Sequence, residues 1–407
     1  MELVEKVSLD IFFAMKNPRR IFHTLDHLSH FDSQDSLERI AVMYHDVVYW
    51  NVDGTWPEVY IHILEPLCDK GMVGGQLSLQ SDLKYFHEIL SLFQRKPGET
   101  ISGPGSNELF SAIVFASVWN TLFDREQLFS VIACIEATIP FRGESATNAL
   151  YENLIKLNFT PDKAQSMVMR ALHMAHQDVQ DFQKDDPGEF LSGTWNLIPE
   201  LNQDLRIQEN YTTQSYRKAI MGMLGFLDSL QVEQIFHSWK GYPQDSELQG
   251  IYKRAHRNLA VGYGYLQAKL VTAAILEAFS LVTGGDAPLS LFMGSTNSKS
   301  PESTLEYFLP DWNNENLDDP VYYLLQVGRA QETSFDLKNS PLASYVYTRL
   351  GSEGCDELTN SAKQMFKNEM EPQAFIERFD SIVKQELLSA LAQFVVTRRE
   401  KFQALML

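Results

Sequence analysis

Apolar side chains recur three and four positions apart along nearly the whole of this 407-residue chain, and strand-like alternation of apolar and polar residues is rare. This spacing places apolar residues on one face of an α-helix, where they can pack against neighbouring helices. The sequence therefore predicts an all-α protein, an N-terminal helical bundle followed by a second helical region expected to pack on it. The predicted helices are residues 2–16, 24–31, 35–49, 78–95, 107–121, 125–138, 145–157, 161–183, 213–230, 245–282 and 379–404.

Clusters of proline and glycine divide this helical pattern into two predicted domains, residues 1–199 and 200–407. Residues 51–104 hold several such clusters around one helix, and they resemble an insertion that caps a helical core. The most apolar late stretch, residues 270–284, is interrupted by Glu277 and is too short to cross a bilayer. We therefore expect no membrane span.

The formal net charge of −19 argues against a nucleic-acid backbone or an anionic membrane as the main partner, because both are polyanions. A nucleotide substrate remains compatible with this charge, since a bound metal can reverse the field locally. Cys68, Cys134 and Cys355 show no pairing pattern, which indicates a reducing compartment. The N-terminal residues do not resemble a signal peptide, because they carry an early acidic residue and no long apolar core. These features predict a cytoplasmic protein.

A short histidine-rich stretch near the N-terminus carries the clearest chemical signal. His23 and His27 lie four positions apart, so on a helix they would share one face. About one helix later, His45 is followed directly by Asp46 inside an apolar run. Imidazole and carboxylate groups together suit a divalent transition metal. The pair alone is a weak signal, whereas the ordered set of residues is a stronger one.

Three further motifs follow in order and make the pattern familiar. They are Asn107-Glu108-x-x-Ser111-Ala112, with Asn107 expected to cap an apolar helix, then Thr138 shortly before Arg142, and then Asp178-Val179. With Arg20-x-x-His23-x-x-x-His27 and His45-Asp46, this series resembles the HD superfamily of metal-dependent phosphohydrolases. It is most similar to small bacterial predicted hydrolases with an HTxxHI start, an HDxVY motif and an NExxSA motif. The resemblance covers residues 15–185 of the chain.

The resemblance implies one divalent metal ion with four ligands, His27, His45, Asp46 and Asp178. Two neutral imidazoles and two carboxylates carry a formal charge of −2. One divalent ion neutralises that charge and can keep positions open for water and a phosphate oxygen. Manganese, iron, nickel, cobalt, zinc and magnesium all suit such mixed nitrogen and oxygen ligands. Asp181, one helical turn after Asp178, is the alternative fourth ligand.

Four other residues receive predicted roles. We expect Glu108 to act as a general base or to orient a water, and His23 to act in the site or to hydrogen-bond a ligand carboxylate. Arg20 and Arg142 are candidate phosphate contacts, with a salt bridge as the structural alternative for each. The chain departs from the family in two places. About fifty residues separate its HDxVY and NExxSA motifs, and Arg142 stands where many members have a histidine.

Our first functional interpretation is a metal-dependent phosphohydrolase that acts on a phosphate ester or phosphodiester of a nucleotide or other small phosphorylated metabolite. The alternative is a non-catalytic regulatory or ligand-binding protein that retains the HD scaffold, with its main function in residues 200–407. A third interpretation, an iron-dependent oxygenase, would need a second ligand set, to which only His173 and His176 could contribute. The long apolar helices are compatible with a homodimer.

Overall fold

A computed structural model describes residues 2–69, 75–207, 210–294, 300–312, 318–333 and 335–407. Twenty α-helices make up most of these described residues, so the predicted all-α fold is confirmed. In chain order they are α1 (Glu2–Met15), α2 (Leu25–Leu28), α3 (Ser36–Tyr44), α4 (Trp50–Asp53), α5 (Ile61–Leu64), α6 (Phe86–Leu92), α7 (Ser106–Trp119), α8 (Arg125–Ala137), α9 (Gly143–Lys156), α10 (Pro161–Asp178), α11 (Pro187–Leu201), α12 (Thr213–Ser229), α13 (Val232–Ile235), α14 (Asp245–Thr283), α15 (Leu289–Met293), α16 (Pro320–Gln326), α17 (Pro341–Phe366), α18 (Pro372–Ile376), α19 (Ser381–Phe394) and α20 (Arg399–Ala404).

Short elements connect these helices. Two short strands, β1 (Cys68–Asp69) and β2 (Gln76–Leu77), pair antiparallel. Single turns of 3₁₀ helix lie at Glu58–Tyr60, Glu65–Leu67, Gln180–Gln183, Gln203–Arg206, Pro301–Ser303, Leu305–Phe308 and Val396–Arg398.

The chain forms two compact units that differ from the domains predicted with a boundary at residue 199. The first unit comprises Met1–Gln183 and Leu230–Arg254, and the second comprises Lys184–Ser229 and Ala255–Leu407. Residues 230–254 return to the first unit because α13 packs against α9 there. Helix α11 instead contacts α12 within the second unit. The chain passes between the two units at three points. No composition shift marks these points, so the sequence favoured a single boundary.

Helix α8 forms the centre of the first unit. Its residues Leu128 to Glu136 are all buried, and α3, α7, α9 and α10 pack against it. The helix begins at a capping box, in which the Asp124 side chain accepts a hydrogen bond from the backbone N–H of Gln127. Three of the surrounding helices carry predicted site residues at or near an end. Those residues are His45 after α3, Glu108 in the first turn of α7 and Asp178 at the end of α10.

Residues 51–104, predicted as an insertion capping the core, contribute to the core itself. Trp56, Tyr60, Leu64 and Phe86 are buried in the same hydrophobic cluster as the residues of α7, α8 and α10. Helix α6 packs against α7, α8 and α9. The predicted glycine cluster from Gly71 to Gly75 lies outside the described residues except for Gly75. The described part of this segment therefore belongs to the hydrophobic core of the first unit.

The second unit contains most of α14, a 39-residue helix whose residues from Ala255 onward belong to it. Among the described residues, α14 alone is long and apolar enough to match a membrane span, and 89% of its apolar window is buried within the protein. Such burial is typical of the central helix of a folded core. The predicted C-terminal helix 379–404 is divided into α19 and α20 by a 3₁₀ turn.

Candidate metal centre

The centre starts at the end of α3, which is shorter than the predicted helix 35–49. Asp35 caps its N-terminus by accepting hydrogen bonds from the backbone N–H groups of Leu37 and Glu38, and His45 is its C-cap. The Nδ1 atom of His45 lies 2.8 Å from the carbonyl oxygen of Val42. A carbonyl only accepts, so Nδ1 carries a proton, and Nε2 is the ring nitrogen that can bind a further proton or a metal. The end of the helix thus orients His45 for binding through Nε2.

Four side chains from distant parts of the chain converge here, and they are the four predicted ligands. The Oδ1 atom of Asp178 lies 3.1 Å from Nε2 of His27 and 3.4 Å from Nε2 of His45. The Oδ2 atom of Asp46 lies 3.0 Å from Nε2 of His45 and 3.8 Å from Nε2 of His27. His27, His45 and Asp46 each offer a ligand atom within 4.8 Å of the others. Within the part of the chain that the structure describes, no other group of three histidine, cysteine, aspartate or glutamate side chains lies this close together.

The spacing of these atoms fits a metal ion, and within the cluster His27 Nε2 and Asp178 Oδ1 also lie at hydrogen-bond distance, 3.1 Å. The Nε2 atom of His45 and the Oδ2 atom of Asp46 are buried, and neither makes a hydrogen bond although they lie 3.0 Å apart. Ligands at ~2.1 Å from one ion lie roughly 3.0 to 3.4 Å from each other in octahedral or tetrahedral geometry. The observed separations are close to that range. The donor set therefore fits a divalent cation.

The electrostatics of the cluster favour positive charge at its centre. Burial raises the pKa of the Asp46 carboxyl, but the imidazoles of His45, His23 and His27 outweigh burial and hold that pKa well below its usual range. Burial lowers the pKa of His45, and the carboxylates of Asp46 and Asp178 reverse this effect and raise it. The two carboxylates thus stay ionised and stabilise a proton or a metal cation between the imidazoles.

Arg20, predicted as a phosphate contact, instead holds the centre in position. Its side chain is completely buried and makes a bidentate ion pair with Asp53, at 2.9 Å from Nε and 2.7 Å from Nη2. It also donates hydrogen bonds to the carbonyl oxygens of Asp46, at 2.7 Å, and Val47, at 3.5 Å. A guanidinium engaged in this way gives the predicted substrate role no support. Asp53 was missed by the sequence analysis because no motif includes it.

His23 lies before the short helix α2 and does not share a helical face with His27, as the four-residue spacing would allow if both lay on one helix. The ring of His23 packs 4.4 Å from that of Tyr49 and 5.8 Å from that of His27, measured between centroids. Phe31 forms another wall, with its ring 5.5 Å from that of His27 and 5.3 Å from that of His45. His23 therefore belongs to the surroundings of the ligands.

The NExxSA motif at the start of α7 reaches the same region. The hydroxyl oxygen of Ser111 accepts a hydrogen bond from the backbone N–H of Val48 at 3.0 Å, which links this motif to the histidine–aspartate pair. The expectation that Asn107 caps α7 is wrong. Gly105 is the cap, with a φ of 84° that favours glycine, and a Cβ atom there would lie 2.8 Å from Ile139.

Glu108 lies in the first turn of α7, and its Oε2 atom is buried without a hydrogen-bond partner. Burial, together with the negative charges of Asp46 and Asp178, raises the pKa of Glu108 to about 7, and the positive charge of Arg142 only partly opposes this rise. A carboxyl with this pKa can exchange a proton at neutral pH. Glu108 is therefore the titratable group best suited to proton transfer beside the ligands.

Arg142 is partly engaged by its own segment. It donates hydrogen bonds to Oε1 and to the carbonyl oxygen of Glu136, each at 2.7 Å, and to the carbonyl oxygen of Ile139 at 3.0 Å. Its side chain is still 29% exposed. Thr138 is buried, and its hydroxyl donates to the carbonyl oxygen of Ile135. The side chain of Arg142 is therefore partly accessible to solvent, whereas that of Arg20 is not.

The two later histidines do not form a second ligand set. His173 pairs with Glu38 at 2.7 Å, and this hydrogen bond raises the pKa of His173. The ring of His176 instead packs 5.6 Å from that of His237. Burial lowers the pKa of His176 to about 3, so it stays neutral. Asp181, the alternative fourth ligand, lies in the 3₁₀ turn that follows Asp178.

Comparisons of this chain with protein-family models, with curated proteins and with solved structures find no match. The resemblance to the HD superfamily therefore depends on the motif residues alone.

Proposed function

We propose that the first unit is a metal-dependent phosphohydrolase of the HD type, with a phosphate ester or phosphodiester of a nucleotide or other small phosphorylated metabolite as substrate. The observation that supports this proposal best is the convergence of Nε2 of His27 and His45 with a carboxylate oxygen each of Asp46 and Asp178. Residues 151 positions apart contribute to one cluster of ligand atoms. Two carboxylates and two imidazoles provide the charge and donor types that one divalent ion requires.

Each residue of the centre has a separate task in this proposal. When bound to the four ligands, a divalent ion would polarise a phosphoryl oxygen and lower the pKa of a bound water toward ~7. Arg20 keeps the backbone at Asp46 and Val47 in place through its hydrogen bonds to their carbonyl oxygens. The carbonyl oxygen of Val42 fixes the tautomer of His45.

Glu108 would move the proton in the hydrolytic step. It would accept a proton from the attacking water, since its Oε2 atom has no other partner. Part of the rise in its pKa comes from the charges of Asp46 and Asp178. A bound cation would offset those charges, so the pKa of Glu108 is expected to be lower in the metal-loaded protein. A lower pKa favours the ionised form that a general base needs.

Arg142 is the remaining candidate for a phosphate contact. Its guanidinium is partly exposed and lies close enough to Glu108 to lower the pKa of that residue. An arginine can contact a phosphate through two parallel hydrogen bonds. To do so, Arg142 would have to exchange part of its pairing with Glu136 for the substrate. We therefore assign it to substrate binding within the proposal, and we do not assign that role to Arg20.

Metal content tests the proposal. Protein purified without chelator is expected to carry one divalent ion per chain by elemental analysis, and His45→Ala and Asp178→Ala should both lose it. Asp181→Ala, one turn beyond the ligand, is the matched control and should keep the metal. Wild-type protein that binds no metal after incubation with manganese, nickel or iron would contradict the proposal. Loss in the His45 and Asp181 variants only would make Asp181 the fourth ligand.

Hydrolysis is tested separately with p-nitrophenyl phosphate, bis(p-nitrophenyl) phosphate and nucleoside monophosphates. Glu108→Gln is expected to retain the metal and to lower kcat by about 100-fold or more, because it removes the proton acceptor. Equal rates for this variant and the wild type would remove Glu108 from the mechanism.

A second candidate function, a regulatory protein that keeps the metal site, is supported by the burial of the ligands. The side chains of His45 and His27 are only 2% and 7% exposed, and those of Asp46 and Asp178 are 11% and 17% exposed. A closed site favours a structural ion, whereas an open coordination position favours catalysis. A bound metal together with no hydrolysis of any phosphate ester or diester would favour this second function.

A further inference from the structure

A cavity in the second unit combines an apolar wall with a buried polar end. Its volume is about 70 Å³, measured at the centres of water-sized spheres, and about 10 to 15 Å³ in that measure holds one water. Leu276, Leu289 and Met293 contribute to the apolar wall, and Lys269, Asp336 and Ser340 form the polar end. The cavity can therefore hold several waters or one small molecule with a polar and an apolar part.

Lys269 is the charged group at the polar end of this cavity. It is 6% exposed, its Nζ atom lies 2.6 Å from Oδ2 of Asp336, and it donates to the hydroxyl oxygen of Ser340 at 2.8 Å. An ammonium group has three N–H donors. Two of them have partners among the described residues of the protein, which leaves one for a ligand.

A second buried cation accompanies Lys269. Arg329 is completely buried, donates to the hydroxyl oxygen of Tyr265 at 2.9 Å, and lies 3.9 Å from Oδ2 of Asp336. Both cations lie over the ring of Trp195, with Nζ of Lys269 4.9 Å and Cζ of Arg329 4.5 Å from its centroid. The quadrupole of an aromatic ring stabilises cations that have left water.

The charges of this cluster do not balance. Among the described residues, Asp336 is the one carboxylate in an ion pair with Lys269 or Arg329, so two cations share a single anion. Oδ2 of Asp336 already accepts hydrogen bonds from Trp195 and Tyr216 as well as from Lys269. An uncompensated buried charge is costly. A further anion within the adjoining cavity would remove that cost.

Glu306 also lines the cavity, but it does not act as this missing anion. It forms no ion pair with Lys269 or Arg329 among the described residues. Burial raises the pKa of Glu306, which favours its neutral form. Its carboxyl can instead provide a hydrogen bond at another point of the cavity wall.

We propose that this cavity binds a small organic anion, a carboxylate or a phosphate ester with a short apolar portion. The anionic group would contact Lys269 and Ser340, and the apolar portion would lie against Leu276, Leu289 and Met293. The positive charge of Lys269 would favour an anion over a neutral molecule, and the apolar wall would favour a ligand with a short carbon chain. Such a site gives the second unit a ligand-binding function that does not depend on the metal centre.

One wall of the cavity has little freedom to move away. Gly294 adopts a φ of 91°, and a Cβ atom there would lie 1.9 Å from the carbonyl oxygen of Ser303. Gly294 also pairs with Thr304 in an isolated β-bridge. This close approach of two backbone segments defines the wall before a ligand arrives, and a pre-formed pocket costs less ordering on binding.

Isothermal titration calorimetry and thermal unfolding of the full chain test the proposal, with butyrate and ethyl phosphate as probes and butyramide as the uncharged control. We expect at least one of the two anions to bind and, at ten times its Kd, to raise the Tm by roughly 3 °C. Binding of butyrate alone or of ethyl phosphate alone would identify which anionic group the site takes. Binding of neither anion, or equal binding of butyramide, would overturn the proposal.

Two substitutions at the cavity and two controls elsewhere locate the response. Ala273→Leu fills the cavity without removing a charge, because Ala273 is a buried wall residue, and it should abolish the anion-induced rise in Tm. Lys269→Met should abolish it as well, whereas Lys363→Met, at an exposed lysine of the same unit, should leave it unchanged. His45→Ala should also respond like the wild type, which separates this site from anions bound at the metal centre. An unchanged response in Ala273→Leu would overturn the proposal even if Lys269→Met does not fold.

Discussion

The two units each contain a buried arginine that fixes the backbone of a charged cluster, and the two arginines differ in how they are neutralised. Arg20 donates to the carbonyl oxygens of Asp46 and Val47 in the first unit. Arg329 donates to the carbonyl oxygens of Asp336 and Leu337 in the second unit, at 3.5 and 2.8 Å. Both side chains are completely buried.

Arg20 has a carboxylate of its own in Asp53, whereas Arg329 shares Asp336 with Lys269. The positive charge of Arg20 is therefore neutralised locally, and the ligand carboxylates keep their negative charge for a cation. Around Arg329 one positive charge is left over, and it is available for an anion. In both clusters a buried arginine donates hydrogen bonds to backbone carbonyl oxygens. The first cluster favours a bound cation and the second favours a bound anion, because Arg20 has a carboxylate of its own and Arg329 shares one with Lys269.

The largest expected effect comes from removing the one carboxylate of the second cluster. Asp336→Asn would leave Lys269 and Arg329 buried without a counter-charge, and it should lower the free energy of unfolding of the second unit by about 3 to 5 kcal/mol. Hydrogen exchange of peptides from the second unit, followed in increasing urea, measures this change. Asp311→Asn, at an exposed position of the same unit, is the control and should change stability by less than about 0.5 kcal/mol.

A bound anion sharpens this test. Butyrate or ethyl phosphate at the cavity should restore part of the stability lost in Asp336→Asn, because the bound anion would supply a counter-charge that Asp336 no longer provides. A loss below about 1 kcal/mol would contradict the view that Asp336 is the counter-charge of two buried cations.

A smaller effect is expected from Arg20→Met. The substitution leaves Asp53 buried and unpaired, so the first unit should lose about 3 kcal/mol. It also frees the carbonyl oxygens of Asp46 and Val47, so the metal should bind roughly 10- to 100-fold more weakly, as found for other residues that support ligands. Chelator competition measures the affinity, and urea unfolding measures the stability.

Two further variants separate charge from positioning. Arg20→Met combined with Asp53→Leu removes the unpaired carboxylate, so stability should recover in part while the metal affinity remains low. Arg39→Met changes an exposed arginine of α3 in the same unit and should leave the metal affinity unchanged. Recovery of metal affinity in the double variant would mean that Arg20 acts only as the partner of Asp53.

The convergence of the histidine and aspartate side chains could be predicted from the sequence because these residues occur in recognisable order, with His45 and Asp46 adjacent and His27 shortly before them. The second cluster could not, because Lys269, Arg329 and Asp336 lie far apart and belong to no motif. The partner of Arg20 could not be predicted either, since Asp53 belongs to no motif and lies in residues 51–104, which the sequence suggested to be an insertion. Sequence order shows which groups a family needs, but charge balance depends on contacts between distant residues.

The helices were predicted well where the apolar period is long, and less well at their ends. Helix α3 ends at Tyr44 although the apolar period continues to Tyr49, because the chain turns there and the apolar residues that follow pack into the core. At α7, the polar side chain of Asn107 suggested a cap, but the left-handed backbone of Gly105 provides it. End positions depend on local backbone conformation, which periodicity does not record.

The smallest effect concerns acid stability, which should differ between the units because nine of the ten histidines lie in the first. Burial lowers the pKa of His237 to about 4, and the charge of Glu144 only partly offsets this. Nε2 of His237 lies 2.7 Å from the hydroxyl oxygen of Thr147, and its ring faces that of His176. A folded-state pKa below the unfolded value of 6.5 means that the unfolded chain binds more protons between these two values.

Stability from a neutral His237 is therefore complete above pH 6.5 and is lost as the pH falls toward 4, by up to about 2 kcal/mol at pH 5. His237→Gln keeps a polar group that cannot titrate, so the first unit should lose correspondingly less stability between pH 7 and pH 5 than it does in the wild type. Hydrogen exchange of peptides from both units at the two pH values measures this difference. His256→Gln, at the exposed histidine of the second unit, should leave the acid response of both units unchanged. If His237→Gln and the wild type lose equal stability, the acid response arises from other groups of the first unit, and burial of His237 does not distinguish the two units.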